Sequence, residues 1–269
     1  MGGNGEFMKE ILSEANPTYK LFVKLLSAKK YRQQQKSYLA EGLNFLDTPE
    51  DLVIAYLLPL SGKEKADEWG LAPDKLIVLA DRLFKKLSAD PASQGLIVWI
   101  KAGDTIFSAD NWQFLKKGLY LALEDIQDAG NLGTMIRTAE AAGALAIFCS
   151  TGTVDLYHPK VIKAAASSLS RMKVVTETDL AQLLILAEKN DLFSFAATPL
   201  GAMAYDQADY QSGALLLIGN EGRGLSQSLL NLADKRIFIP MSGQIESLNA
   251  AVSAAILMFE AKKQQKETH

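Results

Sequence analysis

Three stretches in the second half of the chain combine glycines with hydrogen-bonding side chains, a composition typical of turns that hold a ligand. They are AGNLGTMIRTAEAAGA (129–144), LLLIGNEGRGLS (215–226) and IPMSGQIESLNAAVSAAI (239–256). Each includes or follows the end of an apolar run that predicts a strand. All three are therefore expected at connections from a strand to a helix.

The first stretch carries an amide and a guanidinium at the start of a predicted helix. Asn131 and Gly133 form an Asn-x-Gly helix start, whose first backbone N–H groups have no partner within the helix. Arg137 follows on the same rigid element, about one turn further along. These groups are available to a ligand. The alternative is a capped helix with a surface arginine.

The second stretch is a glycine-rich turn. Gly219, Gly222 and Gly224 let the chain turn tightly and let a ligand approach the backbone. The turn lacks the pattern of a Walker loop and that of a dinucleotide-binding fingerprint. It predicts a binding loop of another kind, or a plain connection between a strand and a helix.

The third stretch leads from a strand end at Ile239 through Gly243 into a helix that Ser247 is predicted to cap. The helix is rich in alanine, as are residues 139–144 and 164–166. Small side chains permit close approach of another chain segment, and high helix propensity is the simpler explanation.

The elements around these stretches predict a doubly wound α/β domain. Its strands are nearly continuous in apolar residues, which favours a parallel sheet covered on both faces. They are predicted at 119–126, 145–150, 172–178, 192–198, 214–220 and 235–241. Ligands of such sheets bind at the carboxyl ends of the strands. The three stretches follow strands of this one sheet, so together they predict a binding site.

The N-terminal half predicts a smaller α/β unit over roughly residues 20–101. A helix is predicted over 17–30, strands in 52–59, 75–80 and 95–101, and helices in 62–70 and 81–88. The polar stretch 102–118 is the predicted linker. We divide the chain into an N-terminal domain (8–103), a linker (104–118) and a C-terminal domain (119–269), with a leader-like segment before Met8.

Charge and composition restrict the possible functions. The net charge is −3, but residues 9–36 hold seven lysines and arginines against two glutamates, so they form a solvated helix face or a phosphate-contacting surface. With two histidines and the single Cys149, a zinc site of protein ligands is not expected. The lone cysteine predicts a buried thiol and a reducing, cytoplasmic location. No apolar run is long enough to predict a membrane span.

Together, the three stretches resemble the motifs of the SpoU-type ribose 2′-O-methyltransferases of the SPOUT class, in the same order and spacing. The similarity covers roughly residues 119–262. RQQQKSYLAEG (32–42) and FKKLSADPASQGLIVWI (84–100) resemble the RNA substrate-binding domain often attached to this family. The resemblance implies an α/β fold with a trefoil-knotted, parallel-sheet methyltransferase domain. It also implies a homodimer with the active site near its interface.

The resemblance further implies that S-adenosylmethionine is the cofactor and that no metal takes part. The residues expected around the cofactor are Thr198, Gly219, Asn220, Glu221, Gly222, Ile239, Met241 and Leu248. The residues expected around the reacting ribose are Arg137, Asn131, Ser247 and Asn249. Because a guanidinium stays protonated, we expect Arg137 to orient an RNA phosphate and stabilise the developing alkoxide rather than to act as a base.

These implications predict an S-adenosylmethionine-dependent RNA 2′-O-ribose methyltransferase that acts on ribosomal, 23S-type RNA. Transfer RNA is the alternative substrate. Two other classes stay open: a non-catalytic RNA-binding relative, and a nucleotide-dependent oxidoreductase on a doubly wound sheet. The set of Arg137, Asn131, Ser247 and Asn249 argues against the first, and the absence of a dinucleotide fingerprint argues against the second.

Overall fold

The computed structural model describes residues 9–88, 94–103, 112–243 and 247–266. The chain forms two compact units. The first unit comprises Met1–Gly103 and Tyr157–Ser170, and the second comprises Asp104–Leu156 and Arg171–His269. Residues 157–170 thus belong to the first unit although they lie within the second half of the sequence. The predicted domain limits themselves stay a prediction.

The first unit is built on a mixed five-stranded sheet. Its strands are β1 (Lys9–Ile11), β2 (Ser37–Glu41), β3 (Val53–Pro59), β4 (Leu76–Leu79) and β5 (Ile97–Lys101). Their order is β1-β4-β3-β5-β2, in which β4 runs parallel to β1 and β3 while β5 runs antiparallel to β3 and β2. The strand predictions in 52–59, 75–80 and 95–101 are confirmed, while β1 and β2 were missed.

Helices accompany this sheet in the first unit. They are α1 (Pro17–Ser27), α2 (Lys29–Gln35), α3 (Lys65–Glu68), α4 (Asp81–Leu87) and, further along the chain, α6 (Pro159–Ala165), after which α7 (Ser168–Arg171) leads back into the second unit. Large side chains from α1 and α4, including Phe22 and Leu83, are fully buried against strand residues such as Leu57. The helices predicted in 62–70 and 81–88 are confirmed by α3 and α4.

The prediction of one helix over 17–30 is wrong because the backbone is extended at Ala28. The amide side chain of Asn16 caps α1, with Pro17 at the first helical position. Arg32 of α2 is 4 % exposed and donates to the carbonyl oxygens of Leu25 and Leu26 at 2.6 and 3.3 Å. Its guanidinium therefore satisfies carbonyl groups at the end of α1, and it does not belong to the basic surface predicted for residues 9–36.

The second unit is built on a seven-stranded sheet in which every described pairing is parallel. Its strands are β6 (Leu119–Leu123), β7 (Ala146–Cys149), β8 (Val174–Val175), β9 (Ser194–Ala197), β10 (Met203–Ala204), β11 (Ala214–Ile218) and β12 (Lys235–Phe238). Their order is β10-β12-β9-β11-β6-β7-β8. The six strand predictions and the parallel sheet are confirmed, and the two-residue β10 was missed.

Helices cover both faces of this sheet, since every residue of the neighbouring strands β6 and β11 is buried. The helices are α5 (Ala129–Ala142), α8 (Leu180–Lys189), α9 (Gln227–Leu232) and α10 (Ala250–Lys266). The core beside α8 and α9 also takes in Phe114, so the end of the predicted linker packs into the second unit. Residues 104–111 of that linker lie outside the described residues.

Candidate active site

A cleft of about 400 Å³ opens at the carboxyl ends of β9, β11 and β12, beside the start of α10. This is the edge of the sheet at which a parallel α/β domain binds its ligand. All eight residues predicted to hold a cofactor line this cleft, namely Thr198, Gly219, Asn220, Glu221, Gly222, Ile239, Met241 and Leu248. The structure thus brings together residues from three separate loops, and their role in binding stays a prediction.

Gly219 is required by close packing of the backbone. A Cβ atom at this position would lie 2.1 Å from the carbonyl carbon of Gly224 and 2.2 Å from the amide nitrogen of Leu225. Gly224 has a φ of +68°, a conformation that residues with a side chain rarely adopt. The glycine-rich stretch is therefore a tight loop that folds back on its own strand, and its glycines line the cleft.

Asn220 holds this loop in shape. Its side-chain oxygen accepts from the backbone N–H groups of Gly222 and Arg223 at 3.0 and 3.1 Å. Its Nδ2 donates to the carbonyl oxygen of Asp125 at 2.8 Å, just beyond β6. One amide side chain thus fixes both the turn and its distance from the neighbouring strand.

Glu221 joins the same loop to the start of α5. Its carboxylate accepts from the backbone N–H groups of Gln127 and Asp128 at 3.3 and 3.2 Å, and from Nδ2 of Asn131 at 3.0 Å. Partial burial alone would raise the pKa of Glu221. The hydrogen bonds outweigh it, led by the one from Asn131, and lower the pKa of this carboxyl group below its ordinary value of 4.5.

Asn131 and Asn249 connect this carboxylate to α10. Nδ2 of Asn249 donates to Oδ1 of Asn131 at 2.9 Å. Oδ1 of Asn249 accepts from the backbone N–H groups of Ala251 and Val252 at 2.9 and 3.3 Å. The first turn of α10 is therefore capped by Asn249, and the prediction that Ser247 caps this helix is wrong. Ser247 is exposed and lines the cleft instead.

The four residues predicted to surround the ribose differ in their placement. Asn131 and Asn249 share a hydrogen bond, and Ser247 lies on the cleft. Arg137 is exposed on α5, about 9 Å further along the helix axis than Asn131. Within the described parts of the chain its side chain makes no hydrogen bond or ion pair. It stands outside the lining of the cleft, so its catalytic role stays a prediction.

The sequence analysis missed two features of this edge. Asp128 caps α5 by accepting from the backbone N–H of Asn131 at 2.7 Å. Asp125 and Arg223, whose spacing in the sequence gives no signal of contact, form an ion pair at 3.2 Å. Only the position of Asp125 and Asp128 close to the end of a predicted strand could have indicated that they take part.

Within the described ranges, no group of three or more histidine, cysteine, aspartate or glutamate side chains is arranged to hold a metal ion. The same parts of the chain include no helix with the length and apolarity needed to cross a lipid bilayer.

Comparison with protein families gives one match, in which residues 118–259 fit the SpoU rRNA Methylase family. This segment covers more than half of the chain and includes all three glycine-containing stretches. It extends from the start of β6 into α10, so it holds every element that lines the cleft.

Two named relatives are 23S rRNA enzymes. The chain is 34% identical over 142 residues to the 23S rRNA (guanosine(2553)-2′-O)-methyltransferase RlmP of Bacillus subtilis. The matched region covers 53% of this chain and 57% of that protein. It is 29% identical over 207 residues to the 23S rRNA (guanosine-2′-O-)-methyltransferase RlmB of Acinetobacter baylyi. Here the matched region covers 75% of this chain and 82% of that protein.

The structure is also similar to solved structures over nearly its whole length. One is the AdoMet-bound rRNA methyltransferase from Sinorhizobium meliloti, with a TM-score of 0.82 and 25% sequence identity. The similarity covers 95% of this chain and 98% of that one. It therefore includes both units and not the methylase segment alone.

Proposed function

We propose that this chain, which belongs to the SpoU rRNA Methylase family, is an S-adenosylmethionine-dependent methyltransferase that modifies the ribose 2′-hydroxyl of RNA. One observation carries the proposal above the others. All eight residues predicted to hold the cofactor meet at a single cleft, next to the hydrogen-bonded group of Glu221, Asn131 and Asn249.

The cleft fits this cofactor in its chemistry. Gly219, Gly222 and Gly224 line the cleft without side chains, so a flat group such as an adenine can approach the backbone of this loop closely. Apolar side chains such as Leu225 and Ile237 form its walls. The carboxylate of Glu221 places a negative charge at the cleft, which would suit a cofactor that carries a positive sulfonium.

When bound, S-adenosylmethionine supplies a methyl group that is already activated by the sulfonium. The chain itself has to position the ribose and stabilise charge on its 2′-oxygen. We assign the positioning to Asn131, Ser247 and Asn249, because two of them are held rigidly by each other and by the caps of α5 and α10. We assign the contact with an RNA phosphate and with the developing alkoxide to Arg137, which is exposed and has no partner among the described residues.

We propose ribosomal RNA of the 23S type as the substrate, because the two relatives named above carry that activity in their names. Transfer RNA remains the alternative.

We also place the protein in the cytoplasm. Burial of its one thiol, Cys149, raises the pKa of that group to about 12, so the cysteine has a structural role.

We propose further that the protein is a homodimer whose interface includes α10. Val252 and Phe259 are 48 % and 51 % exposed and lie seven residues apart on one face of this helix, with the partly buried Ile256 between them. The change Phe259→Glu should convert the dimer into a monomer, as measured by light scattering after gel filtration. Gln182→Glu, which adds the same charge at an exposed position of α8, is the matched control. A monomeric wild-type protein contradicts the dimer.

We also propose that the parallel-sheet domain contains the trefoil knot that the family resemblance implies. The close passage of Gly201 beside the backbone of Ile237 and Phe238, which are far from it in the sequence, supports it. A Cβ atom on Gly201 would lie 2.5 Å from the carbonyl carbon of Ile237. Such spacing leaves room only for glycine, as crossing chain segments require.

Calorimetric titration tests the proposed function. S-adenosylmethionine and its demethylated product should both bind, and NAD should give no heat of binding. Protein that binds NAD but neither of the other two contradicts the proposal and supports an oxidoreductase. Mapping 2′-O-methyl groups in ribosomal and transfer RNA, from cells with and without the protein, then decides between the two substrates.

A further inference from the structure

Arg223 is a charged side chain at the active-site edge that the account of catalysis given above does not use. It lies in the glycine-rich loop, and its side chain is 72% exposed. Its one described side-chain contact is a hydrogen bond from Nη2 to Oδ2 of Asp125 at 3.2 Å. The other N–H groups of the guanidinium therefore have no hydrogen-bond partner among the described residues.

Asp125, in contrast, is held firmly. Its backbone N–H donates to Oγ of Ser150 at 2.8 Å, the Ser150 hydroxyl donates to its Oδ1 at 2.7 Å, and its carbonyl oxygen accepts from Asn220. Its φ of +53° is unusual for a residue with a side chain and is tolerated best by aspartate and asparagine. The contacts around Asp125 fix this conformation, so its Oδ2 is a fixed acceptor for the exposed side chain of Arg223.

We infer that Arg223 is an RNA phosphate-binding residue, which rests on Asp125 in the free protein and transfers to the RNA backbone when the substrate binds. An exposed ion pair with a single hydrogen bond is weak, so its exchange for another anion is inexpensive. A guanidinium binds phosphate with two parallel hydrogen bonds. This contact is stronger than the single hydrogen bond that Arg223 makes to Asp125.

The position of the pair favours RNA over the cofactor as the partner of Arg223. Arg223 itself lines the cleft, but Asp125, toward which its guanidinium points, does not. The guanidinium therefore lies toward the end of β6 and the loop before α5, whose backbone binds Glu221 beside Asn131, one of the residues predicted to surround the ribose. This inference rests on the proposed function and adds a substrate contact to the same site.

The test measures binding of a 23S rRNA transcript by fluorescence anisotropy between about 50 and 200 mM salt, with S-adenosylmethionine affinity measured by calorimetry in parallel. Arg223→Gln should weaken RNA binding about tenfold and reduce the dependence of log affinity on log salt by about one. Arg223→Lys should recover part of the affinity, because it restores the charge without the two-bonded geometry. S-adenosylmethionine affinity should not change.

Asp125→Asn gives the second arm, since asparagine keeps the backbone conformation and removes the competing charge. It should tighten RNA binding about two- to fivefold in the wild-type background and much less in the Arg223→Gln background. Lys235→Gln is the matched control, because Lys235 is exposed at the amino end of β12, at the opposite edge of the sheet. It should change RNA affinity less than twofold.

The inference is wrong if Arg223→Gln and Lys235→Gln have the same affinity and salt dependence. It is also wrong if Arg223→Gln weakens S-adenosylmethionine and RNA binding equally, because the residue then only supports the loop. Wild-type protein that binds neither S-adenosylmethionine nor RNA contradicts the proposed function instead, so the two failures are distinguishable.

Discussion

The two units use the ends of their strands differently. In the second unit all described strand pairs are parallel, so the carboxyl ends of β6, β9, β11 and β12 meet at one edge. In the first unit β5 runs antiparallel to both of its neighbours, β3 and β2, so its carboxyl end lies at the opposite edge of the sheet from theirs. Parallel pairing therefore collects loops that are distant in sequence, and the candidate active site is the result.

The units also use polar side chains differently. In the first unit Arg32 is buried on carbonyl groups at the end of α1, and Asp81 accepts from the backbone N–H of Ser61 at 2.9 Å, so both serve local structure. In the second unit Glu221, Asn131 and Asn249 join three loops of the sheet edge. In the first unit Arg32 stabilises a helix end, whereas in the second unit Asn249 both caps α10 and takes part in the candidate site.

The largest effect at the active-site edge of the second unit is expected from Gly219→Ala. The added Cβ meets the backbone of Gly224 and Leu225, which cannot move without opening the loop. We expect the free energy of unfolding to fall by about 3 kcal/mol and S-adenosylmethionine binding to be lost. Urea denaturation and calorimetry measure the two quantities. In Gly222→Ala the new Cβ would lie 3.6 Å from Asn220, so its stability should stay close to that of the wild type.

Arg137→Lys tests the catalytic use of an exposed charge. Because Arg137 has no partner among the described residues, the change should leave folding and cofactor affinity intact. It should lower the single-turnover rate of methyl transfer at saturating RNA about a hundredfold. A variant with a nearly unchanged rate shows that Arg137 neither orients the phosphate nor stabilises the alkoxide.

Arg32→Met tests the structural use of a buried charge in the first unit. The change leaves carbonyl oxygens at the end of α1 without their donor, so we expect a loss of about 2 kcal/mol in the free energy of unfolding. S-adenosylmethionine affinity should not change. Lys30→Met, on the exposed side of the same helix, should shift stability by no more than about 0.5 kcal/mol. Equal effects of the two substitutions contradict the assignment.

Glu221→Gln should change the pH dependence of stability. Because the folded protein lowers the pKa of Glu221, this carboxylate stabilises the fold above the ordinary value of 4.5, and the contribution is lost as the pH falls through the lowered pKa. The variant should lack this part of the acid-induced loss. Thermal denaturation of both proteins between about pH 3 and 6 measures it, and identical profiles contradict the pKa shift.

The sequence predicted the second sheet well because its strands are long apolar runs whose spacing is unambiguous. The carboxyl-end position of Gly219 and of the loop after β12 followed from the parallel order alone. β1, β2 and β10 were missed for different reasons. β1 and β10 are very short, while β2 follows directly on the helical pattern of α2, where the sequence has no turn signal.

The partners of the site residues were harder to predict. Ser247 and Asn249 are both good capping residues two positions apart, and only the structure shows that Asn249 is used. The contact between Glu221 and Asn131 joins residues 90 positions apart, and the pair of Arg223 and Asp125 spans 98. Propensity and periodicity describe neighbours along the chain, so they cannot assign such pairs.

The most direct test of the account is a methyl-transfer assay with the protein, unmodified 23S rRNA and S-adenosylmethionine carrying a labelled methyl group. Digestion of the RNA to nucleosides and mass spectrometry then locate the label. We predict label on the ribose 2′-oxygen of one nucleotide, and its loss in Asn131→Ala and Arg137→Lys. Label on a base, or equal labelling by the Arg137→Lys variant, would contradict the proposed site.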